Sequence, residues 1–195
     1  MKKFFSLLVL MMFGLSLICH SQVKFGIKGA LNMSNIRLTE DIGMEPVMQT
    51  GFAAGGFMQI SFLGKVKIQP ELLYSLKKVK FDVDAELGLP DATYSFNYLS
   101  IPVIAKYYII PKVNLQAGPQ FDMLLSAKRE ISGMPSQDVK DELNSTDVGL
   151  AMGLGLDIAM GLGLDVRYVL GLTDEIKKGV GSKSSLIQFG VFYKF

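Results

Sequence analysis

The stretch DVGLAMGLGLDIAMGLGLDVRYVLGL, residues 147–172, decides the fold class. From Val148 to Ile158 every even position is apolar: Val148, Leu150, Met152, Leu154, Leu156 and Ile158. Gly149, Ala151, Gly153, Gly155 and Asp157 stand between them, all small or charged. The alternation resumes with Leu162, Leu164, Val166, Tyr168 and Leu170 against Gly161, Gly163, Asp165 and Arg167, with Val169 the exception. A period of two puts unlike residues on opposite faces of a β-strand. The stretch therefore predicts two strands joined at Ala159-Met160-Gly161, with one greasy face that meets either a protein core or lipid.

The same pattern recurs outward from this hairpin. Strands are expected at about 23–33, 50–62, 65–77, 94–108, 112–125 and 185–195, which with the opening pair makes eight. The strand at 94–108 is the least regular, with Leu99, Ile101, Val103, Ala105 and Tyr107 assigned outward. Pro70, Pro102 and Pro119 fall inside these spans, where a missing N–H argues against a central strand. A bulge or an irregular rim is the expected way to absorb each. The connections alternate in length. Short ones fall at 63–64, 110–112 and 159–161, and long ones at 34–49, 78–93, 126–146 and 173–184. That is the layout of an outer-membrane barrel, with short periplasmic turns and long external loops.

The non-greasy face separates lipid from core. A soluble lipocalin-like barrel puts its apolar side inward and needs a charged exterior. Here the other face carries mostly glycine, alanine, asparagine and glutamine, which suit the crowded interior of an eight-stranded barrel. The greasy face is thus read as facing lipid, and closure satisfies the backbone hydrogen bonds that hydrocarbon demands. The fold class expected is all-β: an eight-stranded antiparallel up-and-down transmembrane barrel. The last strand ends in alternating Phe189, Val191, Tyr193 and Phe195. This pattern resembles the C-terminal signal by which outer-membrane barrels are handed to their insertion machinery. Tyr193 and Phe195 would also join an aromatic girdle.

The N-terminus reads as a targeting segment. Lys2 and Lys3 precede an apolar run from Phe4 to Ile18, followed by Cys19 and Ser21 at the −3 and −1 positions of a cleavage site before Gln22. Residues 1–21 are expected to be a signal peptide and 22–195 the barrel domain, exported to the outer membrane. Lipidation at Cys19 is the weaker reading, because bulky Ile18 precedes it. The 20 basic and 18 acidic residues nearly balance, and no basic cluster beyond Lys77-Lys78-Val79-Lys80 suggests nucleic acid.

The segments FGIKGALNMSNI, QPELLYSL, YLSIPVIAKYY, LQAGPQFDMLLSAK and DVGLAMGLGLD, in that order, resemble the Bacteroidetes outer-membrane β-barrel family often labelled PorT-like. The resemblance spans essentially all of residues 22–195. It implies an eight-stranded membrane barrel and no single activity. The family's namesake belongs to a secretion apparatus, and no functional residue carries over.

The chemistry is sparse. After Ser21 the chain has no histidine and no cysteine, which removes Ser–His and Cys–His pairs and imidazole metal ligands. Asp157 and Asp165, on the inner face of adjacent strands, are the residual acid–base candidates. Lys28, Lys67, Glu71, Lys106, Asp122 and Arg167 are placed on the same inner face. Acids and bases confined to a narrow interior are expected to pair, because an unpaired buried charge is costly. The repeated Gly-Leu-Gly-Leu-Asp at 153–157 and 161–165 lacks the strand–loop–helix context of a phosphate loop. The loop acids show no EF-hand spacing. No enzyme activity, cofactor or metal is expected. The expected partners are outer-membrane lipid, the insertion machinery and a protein reached through the external loops. A secretion or gliding component and a soluble periplasmic lipocalin-like carrier are the alternatives.

Overall fold

The alternating segments become strands that pair with antiparallel neighbours. The computed structural model describes residues 23–38, 44–83, 92–131, 135–173 and 182–195. In chain order these hold β1 (Val23–Leu38), β2 (Met44–Leu63), β3 (Val66–Val83), β4 (Ala92–Ile110), β5 (Val113–Ile131), the two-residue β6 (Gln137–Asp138), a 3-10 turn (Lys140–Glu142), β7 (Thr146–Asp157), β8 (Leu162–Gly171) and β9 (Ser182–Lys194). The sheet order is β4-β3-β2-β1-β9-β8-β7-β5, and β4 also pairs with β5, so eight strands close into a barrel. β6 is a ninth, short strand that hangs on the upper end of β5, Asp138 opposite Lys128. The proposed leader, 1–21, and Cys19 lie outside the described residues.

The polarity is that of a membrane protein. The side chains pointing out include Phe25, Ile27, Leu72, Leu115, Leu154 and Val191, and Leu154 is 55% exposed. The side chains pointing in include Arg167 at 1% and Lys106, Asn114 and Gln69 at 0%. A soluble protein could not leave such a belt in water, so the greasy face is the lipid face. The packed polar lumen likewise does not fit a soluble carrier with an apolar cavity. Among the described residues, no helix is long and apolar enough to cross a membrane.

The short connections sit together at one end. Gly64 has φ 48°, Met160 φ 53° and Gly161 φ 86°. At Gly161 a Cβ would stand 2.1 Å from the Lys194 carbonyl oxygen, so the tight β7–β8 turn needs glycine there.

The prolines are accommodated by neither bulge nor rim. At Pro70 the β2–β3 pairing lapses between Phe57↔Glu71 and Ile60↔Ile68 and resumes in the same register. The β3–β4 ladder lapses opposite Pro102, between Pro70↔Val103 and Leu73↔Ser100. The β4–β5 ladder lapses at Pro119, between Pro102↔Gln120 and Ala105↔Ala117. Each proline thus costs local hydrogen bonds in one ladder and leaves the strand whole. The register shifts lie elsewhere, one of them at Leu125 in β5.

The strands are longer than the alternation foretold. The expected loops at 34–49, 78–93 and 126–146 hold the upper ends of β1 to β5, and β9 starts inside the expected 173–184 loop. A membrane-crossing strand needs about 9–11 residues. β8 has 10 residues and β7 has 12, whereas β2 has 20, β3 18, β4 19 and β5 19. β2–β5 therefore rise beyond the belt by about 20 Å on one side.

In this tall wall the polarity inverts. Val79, Phe96, Tyr98, Leu124 and Ala127 point inward and form an apolar cluster, against which Val139 packs. Lys78, Ser95 and Lys128 share one outward row. Once above the lipid the sheet has water outside, so its apolar residues change sides. Leu72, Tyr74 and Leu76 on β3 give way to Val79 on the opposite face, and this slip of phase hid the strand's continuation.

Candidate functional site

The lumen gathers ionisable side chains from several strands, and they fall into three levels. At the middle, β1, β3 and β8 bring Lys28, Glu71, Asp165 and Arg167 together. Arg167 donates from Nη1 and Nη2 to the two Glu71 carboxylate oxygens at 2.8 and 2.6 Å. It also donates to Asp165 at 3.3 Å and to Gln116 Oε1 at 2.7 Å. Lys28 Nζ donates to both Asp165 oxygens, at 2.8 and 2.9 Å, and lies 3.9 Å from Glu71. Gln69 links Gln59 to Glu71 by bonds of 3.0 and 2.7 Å. Lys106 Nζ lies 4.7 Å from the centre of the Phe192 ring and has no hydrogen-bond partner among the described residues. Gly190 makes this level possible: a Cβ there would sit 2.5 Å from Asp165 Oδ1 and 2.7 Å from Lys28 Cε.

Above it, Lys77 Nζ donates to Asp122 at 2.8 Å and lies 4.5 Å over the Tyr98 ring. Gln120 donates to the same carboxylate, and Gln188, Asn32 and Ser75 form a chain of bonds beside it. Below, at the end with the short turns, Lys194 Nζ and Tyr108 OH donate to Asp157 Oδ2 at 2.6 and 3.0 Å. Lys67 Nζ stands 4.3 Å from the Tyr108 ring centre. Phe57 and Phe192 meet edge-to-face at 5.9 Å across the lumen.

Of the eight residues proposed for one interior cluster, the structure gathers Lys28, Glu71, Lys106, Asp165 and Arg167. Asp122 belongs to the upper level, and Asp157 and Lys67 to the lower. Asp157 and Asp165 point inward on adjacent strands but pair with different cations, so they do not form an acid–base dyad. Lys77, Lys194, Tyr108 and Gln116 were missed. Each stands on the inner face by simple alternation, and that signal marks all of them. At the C-terminus Tyr193 and Phe195 are exposed on the barrel wall, their rings 5.5 Å apart. Among the described residues, no group of three histidine, cysteine or acidic side chains is placed to hold a metal.

A closed eight-stranded barrel with a lipid-facing belt and an ion-paired lumen is a membrane architecture, and the sequence places it in one family. The model of the outer membrane protein beta-barrel domain family matches residues 16–177. The chain belongs to that family. This outer-membrane barrel is similar in fold to Neisserial surface protein A, with a TM-score of 0.56 at 11% identity, covering 89% of this chain and 99% of that one. It is also similar to Ail, the attachment invasion locus protein of Yersinia pestis, solved in complex with the heparin analogue sucrose octasulfate, with a TM-score of 0.52 at 15% identity and coverage of 89% and 99%. At such identities the likeness is one of fold alone. No curated protein matches the sequence.

Proposed function

We propose that this is a non-enzymatic outer-membrane barrel that serves as a rigid stem for recognition above the membrane. The observation that carries the reading is the filled lumen. Three levels of ion pairs and hydrogen-bonded amides, with the Phe57–Phe192 contact, occupy the space a solute would need. Eight-stranded barrels of this kind leave no aqueous channel. Glu71, Asp122, Asp157 and Asp165 are each engaged by a cation and Asp147 accepts from the Thr173 hydroxyl, which favours a structural role for the network over a catalytic one. The part of the chain left for partners is the rim, where β2–β5 and the segment around Val139 stand above the belt. Purified protein in planar bilayers is expected to show no steady conductance. Conductance, or uptake of sugars into liposomes, would overturn the reading.

The PorT-like resemblance supports a finer version, in which the stem anchors a secretion or gliding assembly. Export behind a leader ending near Ser21, and delivery to the insertion machinery by Phe189, Val191, Tyr193 and Phe195, belong to the same reading. Mild detergent extraction of tagged protein should then recover an envelope partner, and recovery of the barrel alone would set the assembly role aside.

A further inference from the structure

The described charges are unevenly placed along the barrel axis. At the end with the short turns stand Lys24, Lys65, Lys67, Lys112 and Lys194, against Asp157 as the single acidic side chain among the described residues. Asp157 is committed to Lys194 and Tyr108. Among the described residues no carboxylate lies within ion-pair distance of Lys24, Lys65, Lys67 or Lys112. The chain as a whole is nearly neutral, so this end is basic by placement and not by composition.

The lysines border two hollows. One, of about 510 Å³, lies beside the β7–β8 turn between Lys24, Lys112 and Lys194. The other, of about 330 Å³, lies between Lys65, Lys67 and Tyr108. Above them the Phe57–Phe192 contact closes the lumen, so the mouth is a cup with a floor and not the entry of a pore. The tip of the β7–β8 turn adds an apolar contact. Met160 is 92% exposed and holds a left-handed backbone, φ 53°, that a non-glycine residue adopts at a cost.

We propose that this periplasmic mouth is a docking site for an acidic peptide segment of a periplasmic protein. Orientation favours a peptide over lipid. Lys24, Lys67 and Lys194 fall in step with the inward residues Lys28, Gln69 and Phe192, and Lys65 and Lys112 sit in the turns. The positions that face the membrane at this level are apolar or aromatic, among them Phe25, Tyr107, Ile109, Leu162, Tyr193 and Phe195. Headgroups around the circumference therefore meet apolar and aromatic side chains, while an axial ligand meets ammonium groups. An extended chain carrying several carboxylates spans the two hollows, and Met160 adds an apolar contact at the rim. The inference goes beyond the recognition role of the opposite rim, and its failure would leave that role standing.

The test uses the full barrel in nanodiscs of phosphatidylcholine alone, with fluorescent hexaglutamate as the probe and anisotropy as the readout. Hexaglutamate should bind saturably at low salt and weaken as salt screens the lysines. The variant K24Q/K65Q/K112Q removes three exposed charges and should weaken binding by about tenfold or more. Its folding is checked by the shift of its gel band on boiling. K78Q/K128Q, at the far end, should bind like the parent. Absence of saturable binding, or equal binding by the triple variant, would overturn the proposal. Selective retention of phosphatidylglycerol by the parent, with no hexaglutamate bound, would assign the lysines to lipid and overturn it too.

Discussion

Glu71 and Arg167 offer an asymmetric test of the lumen. The middle level holds three formal cations, Lys28, Lys106 and Arg167, and two carboxylates, Glu71 and Asp165. Glu71→Gln keeps the shape but leaves the three cations facing one carboxylate. It also turns an amide toward a guanidinium that in the parent donates two charge-assisted bonds to the carboxylate, 2.6 and 2.8 Å long. Breaking a buried pair in this way costs about 3–5 kcal/mol. Arg167→Met has the opposite effect on the balance: Lys28 and Lys106 then face Glu71 and Asp165, two against two. It forfeits the bonds to Gln116 and Asp165 and those to Glu71, at a cost of about 1–3 kcal/mol. The double variant restores the native excess of one positive charge and should be more stable than Glu71→Gln alone. The assay is urea titration of folding into phosphatidylcholine vesicles, read by the band shift on unboiled gels, with the slope checked for constancy. A Glu71→Gln barrel as stable as Arg167→Met would refute the reasoning, because charge balance would then not govern the lumen.

Other outcomes follow from single positions. Leu154→Arg, at an outward site in the belt, should destabilise the barrel by about 2–4 kcal/mol in the same titration, while Lys128→Ala above the belt should stay within about 0.5 kcal/mol. Equal effects would mean that the belt does not meet lipid. Gly190→Val should cost about 1–3 kcal/mol or more, since its Cβ would displace the Lys28–Asp165 pair; an unchanged urea midpoint would contradict the close packing. Tyr193→Ser with Phe195→Ser should lower the share of protein reaching the outer membrane in cells while sparing refolding in vitro, and normal delivery would remove the insertion-signal reading.

Much of the fold was legible because a barrel writes its two environments into consecutive residues. Val148 to Ile158 shows this most plainly, and the short links at 63–64, 110–112 and 159–161 ordered the strands. The upper strands were hidden for the same reason. Above the lipid the outside becomes water, so Val79, Phe96 and Ala127 turn inward and the alternation changes phase at Leu76, Leu99 and Leu125. The irregularity of β4 is this change of phase. The prolines misled because local logic puts them at edges, whereas a ladder held by its flanking pairs tolerates a two-position lapse.

Local alternation and the lengths of the connections therefore determined that this chain is an eight-stranded membrane barrel, and which side chains face its interior within the lipid belt. Which of those side chains pair was decided only by closure of the ring. Glu71 and Arg167 lie 96 residues apart, Lys28 and Asp165 137, and Lys77 and Asp122 45. Their partners depend on the height at which each strand sits against its neighbours, a register summed around the whole circumference. No segment carries that sum, so no reading of one segment at a time can supply it.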